Sequence, residues 1–167
     1  MCCLVRSCPR GSHHTAQGYN RHTNILRNEL NYIGDNAIAG WGRTKHWDGR
    51  KGDQPRYTTI KDNYVHELGF FEKQSSFWFQ AKTCQTTVEN NIVFNIPRAA
   101  INFNDGFGGN NTIKQNLIFN TCRESGGEIF MYSFHEQQNS FIPTALIQQQ
   151  NTACMGLTGV GLWLGKP

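Results

Sequence analysis

The chain has 167 residues, a formal charge of +4, and 17% charged against 38% hydrophobic residues. That length makes one ordinary domain with a real core, and the mix, rich in Asn, Gly, Thr and Phe, excludes a helical bundle, which needs Ala, Leu, Glu and Lys. The mild positive charge favours an acidic partner and is too weak for a nucleic-acid binder.

Residues 1–19 carry no repeat; Gly11-Ser12-His13-His14 reads as a loop or a damaged coil. Met1 to Arg10 has no apolar stretch of the kind a secretory signal needs. Cys2, Cys3 and Cys8 lack the CxxC spacing of a zinc or redox site. No apolar run reaches membrane-spanning length, so no membrane partner is expected.

From residue 20 onward one template recurs: an apolar residue, two spacers, Asn, one spacer, and a second apolar residue. It is met at Ile25 to Leu30, Ile60 to Val65, Val88 to Val93 and Ile113 to Ile118. The template Asn residues are Asn28, Asn63, Asn91 and Asn116, spaced by 35, 28 and 25 residues. Such a period belongs to a solenoid, whose units bury a face only by stacking on neighbours. The apolar positions are expected inside. The Asn is expected at a bend, in a position that tolerates left-handed backbone, its amide bonding to the equivalent Asn in adjacent coils.

A second strand is expected after each template, at Asn36 to Trp41, Ser76 to Gln80 and Ala99 to Asn104. Gly34 and Gly69 mark turns. The aromatic residues Trp41, Phe77, Phe79 and Phe103 read mostly as core or wall, with one or two rings open to a second reading as a sugar platform. Cys84 and Cys122 read as small buried side chains. Residues 42–57 form a polar insertion, and residues 127–167 leave the template for a Gln-rich and then Gly-rich tail, read as irregular or as a cap.

Residues 21 to about 125 resemble the right-handed parallel β-helix family, the pectin-lyase-like superfamily. The four templates carry the resemblance, with Gly34-Asp35-Asn36-Ala37-Ile38 and Ala100-Ile101-Asn102-Phe103-Asn104-Asp105-Gly106-Phe107-Gly108-Gly109. It implies an all-β, right-handed, single-stranded parallel β-helix of about four coils over residues 20–126, an extracellular address, and polysaccharide as partner. The coil number is low for an enzyme of the family, and the coils stop after Arg123-Glu124-Ser125-Gly126, as in a truncated or fused product of a longer gene.

The family's polysaccharide lyases need a basic residue as proton acceptor, a second cation on the uronate carboxylate, and often calcium. Candidate catalytic residues are Arg98 and Asp105, flanking the strand that ends at Asn104. The alternative is a turn that only shapes the chain. Candidate substrate-binding residues are Trp41, beside the insertion, and Arg43, Lys45, His46, Trp47 and Arg50 within it, a basic and aromatic set suited to an acidic glycan. A solvated surface loop is the competing reading. Asp35, Asp62, Glu89 and Asp105 leave paired-carboxylate hydrolysis open. His22, His66 and His135 have no metal-ligand spacing. The functional expectation is a carbohydrate-binding or carbohydrate-active β-helix, lyase-like on an acidic polysaccharide. The alternative is a non-catalytic structural or binding solenoid, or an inactive fragment of a larger protein.

Overall fold

The computed structural model describes residues 14–43, 52–104, 109–124, 130–131, 140–141 and 145–147. These residues are all-β. The strands run β1 (His14–Gln17), β2 (Asn24–Leu26), β3 (Glu29–Ile33), β4 (Ile38–Trp41), β5 (Thr59–Lys61), β6 (Tyr64–Leu68), β7 (Trp78–Ala81) and β8 (Thr87–Glu89). They continue as β9 (Ile92–Phe94), β10 (Ile101–Asn104), β11 (Thr112–Lys114), β12 (Leu117–Phe119), β13 (Phe130–Met131), β14 (Ser140–Phe141) and β15 (Ala145–Ile147).

Every third strand joins the same sheet. Sheet 1 is β1-β4-β7-β10-β13, sheet 2 is β14-β11-β8-β5-β2, and sheet 3 is β15-β12-β9-β6-β3. All paired strands are parallel and in register from coil to coil. This is the stacked-strand arrangement of a β-solenoid.

Each template splits at its Asn into a strand of sheet 2 and a strand of sheet 3. The segments ending at Trp41, Gln80 and Asn104 therefore form the third side of each coil, not the second. Apolar template positions fill the interior as columns: Ile25, Ile60, Val88 and Ile113 from sheet 2, and Leu30, Val65, Val93 and Ile118 from sheet 3. Ile38, Trp78 and Ile101 close the core from sheet 1, with Phe77 and Phe103 also buried. Cys84 and Cys122 are buried free thiols.

The template Asn residues form a buried ladder. The backbone N–H and the amide of Asn28 both donate to Oδ1 of Asn63, at 3.0 Å each. Asn63 repeats this toward Asn91, and Asn91 toward Asn116. The left-handed residue, however, is the one before each Asn: Arg27, Asp62, Asn90 and Gln115 all have φ between 53° and 57°. The Asn keeps an ordinary backbone because its amide must point inward to reach the next coil. Two further corner columns repeat this geometry five residues to either side, His22, Tyr57, Gln85 and Asn110, and Tyr32, Glu67, Asn95 and Asn120. Left-handed non-Gly backbone costs roughly 1–2 kcal/mol per residue, and the buried Asn ladder offsets part of that cost at its own corner.

β1 lies in the segment before the first template. β13, β14 and β15 lie within 127–167 and pair in parallel with β10, β11 and β12. The rest of both segments lies outside the described residues.

Candidate functional site

Apolar columns and the hydrogen-bonded Asn ladder fill the interior, so groups open to a ligand are sought on corners and outer faces. One shallow, open cleft of about 780 Å³ lies where β1 and β4 end, lined by Gly18, Tyr19, Trp41, Gly42, Arg43 and Asp53. Parallel pairing sets β1 beside β4, and the Gly18 N–H donates to the Trp41 carbonyl at 3.1 Å. That bond carries Tyr19 to the edge of Trp41 from far away in sequence. Both rings face solvent, Tyr19 at 72% and Trp41 at 46% exposure.

Each ring is braced from one side. Trp41 leans on Phe79, centroids 5.1 Å apart and tilted by 40°. Tyr19 carries the Arg21 guanidinium 3.8 Å above its centroid. Arg21 is itself anchored, donating to the carbonyls of Asn20 at 2.9 Å and Gln54 at 2.5 Å. Across the cleft the Arg43 N–H donates to the Asp53 carbonyl at 2.6 Å, closing the neck of the insertion as an antiparallel bridge. Arg43 and Asp53 thus both line the cleft, one residue of each charge. Gly42 forms the floor: a Cβ there would meet the Lys82 carbonyl oxygen at 2.1 Å and the Gln54 Cβ at 2.2 Å.

Trp41 and Arg43 are thereby brought together as the sequence suggests. Lys45, His46, Trp47 and Arg50 lie outside the described residues, as does Asp105. Arg98 is elsewhere, just before β10 and at the opposite end of sheet 1 from Trp41. It donates from Nη1 to Gln74 Oε1 at 3.1 Å, and its carbonyl accepts the Cys122 N–H at 3.0 Å. Tyr19 and Asp53 went unnoticed in the sequence. Tyr19 belongs to a segment without the template, and only strand pairing reveals its neighbour.

The carboxylates considered for hydrolysis are occupied separately. Asp35 Oδ1 accepts the Asn36 N–H at 2.7 Å and the Ser75 hydroxyl at 3.2 Å. Asp62 accepts the Asn90 amide at 2.6 Å. Glu89 lies on the outer face of sheet 2 between Lys61 at 3.3 Å and Lys114 at 3.2 Å, its partners in the neighbouring strands. Burial alone would raise its pKa, but the hydrogen bonds and charge of Lys114 and Lys61 outweigh burial and hold it below its ordinary value. Among the described residues no group of three or more His, Cys, Asp or Glu side chains could hold a metal ion.

No protein-family model matches the chain, and no curated protein or solved structure matches it. The reading of the cleft rests on this chain's own residues.

Proposed function

We propose that this protein binds a polysaccharide through the cleft at Tyr19, Trp41, Arg43 and Asp53, on a right-handed β-helix of about four Asn-bearing coils akin to the pectin-lyase-like superfamily. The observation that carries the proposal is the exposed Trp41 ring, braced by Phe79 and set beside the exposed Tyr19 ring. An exposed and immobilised ring loses little conformational freedom on binding and offers a flat apolar surface to the C–H face of a sugar. Arg43 supplies a fork of donors suited to a sugar carboxylate, and Asp53 an acceptor for hydroxyls. An acidic polysaccharide is the finer form of the proposal, supported by Arg43 and the +4 charge, and lyase action its finest.

The test follows intrinsic fluorescence of the folded chain titrated with polygalacturonate and alginate, with and without calcium, while ultraviolet absorbance reports unsaturated sugar ends. The proposal expects saturable binding, weakened about tenfold by Trp41→Ala, the loss of roughly 1.4 kcal/mol. Folded protein that binds neither glycan would sink it. Rising absorbance would establish a lyase.

A second reading, a binding solenoid without catalysis, is favoured by Arg98. Its bond to Gln74 ties it to the loop after β6, and it does not belong to the residues that line the cleft.

A further inference from the structure

The outer face of sheet 3 is aromatic in a way the cleft does not explain. In-register parallel strands repeat about every 4.8 Å, and rings placed at equivalent positions stack at that spacing. His66 and Phe94 stack at 5.0 Å with 9° between planes, and Phe94 and Phe119 at 4.8 Å with 3°. Phe94 thus has a ring stacked on each face, and His66 and Phe119 each give one face to it. Tyr64 and Tyr32 do not join the stack. Tyr64 is inclined 63° to His66 and 61° to Phe94, and Tyr32 is inclined 72° to His66. Both rings remain open to solvent, Tyr64 at 42% and Tyr32 at 56% exposure, and Phe70 backs Tyr32 on one side, centroids 5.8 Å apart and inclined by 30°.

Polar groups stand beside these rings. Glu29 is the register partner of Tyr64, and Asn31 that of His66. The Asn31 amide donates to Glu29 Oε1 at 3.1 Å, and His66 Nε2 lies 3.8 Å from the same oxygen. Glu29 is therefore held in place while its other oxygen has no partner among the described residues.

We propose that β3 and β6 present here a second glycan-binding surface, selective for an uncharged sugar chain. Size favours a thin ligand. The outward positions of β3, β6, β9 and β12 span roughly 15 Å along the axis and about 7 Å along each strand. That is far below the ~800 Å² per partner of a stable protein interface. Charge selects the sugar: the fixed carboxylate of Glu29 accepts hydroxyl protons and repels a uronate. This differs from the cleft, where Arg43 supplies a cation beside the Asp53 carboxylate, and it stands independently of it.

The test is calorimetric titration of the full chain with cellohexaose, laminarihexaose and mannohexaose, with trigalacturonate as the charged comparison. At least one uncharged hexamer is expected to bind, with Tyr64→Ala weakening it about tenfold and Tyr64→Trp, which keeps a platform, retaining it. Ring signals of Tyr64 and His66 in nuclear magnetic resonance spectra should shift on binding. A cooperative melt confirms that each variant is folded. Three outcomes would overturn the proposal: no uncharged hexamer binds; Tyr64→Ala and Tyr32→Ala both leave binding unchanged; or trigalacturonate shifts the Tyr64 ring as readily as the uncharged sugars do.

Discussion

The Asn ladder makes a prediction that depends on position within the stack. Asn91 is 1% exposed and sits in the middle. Its Oδ1 accepts two donors, the Asn63 N–H at 3.0 Å and the Asn63 amide at 2.9 Å. Its own amide donates to the carbonyls of Ile60 and Glu89 and to Asn116 Oδ1. Asn91→Ala removes all of these. The Asn63 N–H then loses its acceptor in a buried site, worth about 1–3 kcal/mol alone, and each other lost bond adds roughly 1 kcal/mol net. Because the Glu89 carbonyl keeps the Asp62 N–H and Asn116 Oδ1 keeps the Asn91 N–H, the total should fall at about 3–5 kcal/mol. Asn28 begins the ladder. Asn28→Ala removes one amide bond to Asn63 Oδ1, which still receives the Asn28 N–H, so about 1 kcal/mol is lost. Urea denaturation of both variants reads the difference directly, provided the slopes agree with the parent. Equal losses, or a loss below about 1.5 kcal/mol for Asn91→Ala, would refute the account of the ladder as a directional chain of buried bonds.

Three further substitutions test other parts of the structure. Gln115 is exposed with φ of 56°, so Gln115→Gly should stabilise by roughly 0.5–1 kcal/mol by relieving left-handed strain, whereas Gln115→Val should destabilise; thermal melts decide. The depressed pKa of Glu89 contributes stability that is fully present above the ordinary value of 4.5 and is lost as pH falls through the lower folded value. Glu89→Gln should therefore cost stability near neutral pH and flatten the acid limb of stability against pH below 4.5; an unchanged acid limb would count against the Lys61–Glu89–Lys114 triad. Gly42→Ala would drive a Cβ into the Lys82 carbonyl and Gln54, so it should destabilise by about 1–3 kcal/mol and displace Trp41, seen as a shift in tryptophan emission.

The stacked sheets and buried Asn ladder were legible in the sequence because each coil repeats one local rule: apolar in, Asn at the bend, apolar in. The corners were harder to read. Asn and Asp are the residues expected at left-handed positions, yet Arg27, Glu67, Lys82 and Gln115 also occupy them. Stacking imposes the corner geometry, so residue type there is a weak signal. The cleft was half legible. Trp41 stands next to a visible insertion and Arg43 within it, but Tyr19 reaches them only through pairing of β1 with β4, a contact outside any repeat. The surface at Tyr64 was hidden for a related reason. Its meaning depends on which rings share a register position, and that requires the alignment of β3, β6 and β9 to be known.

Register explains both candidate surfaces by one physical rule. When aromatic residues occupy equivalent positions in successive coils, the strand spacing forces them face to face, and they become scaffold, as in His66, Phe94 and Phe119. A ring keeps its face only where its register neighbours are not aromatic. Trp41 lies opposite Ala81 and Gln17, and Tyr64 opposite Glu29 and Ile92. Both rings are correspondingly tilted and exposed. Aromatic count along a strand is therefore a poor guide to ligand contact in this architecture. The informative feature is an aromatic residue that interrupts its column, because stacking cannot satisfy it and solvent or a ligand must.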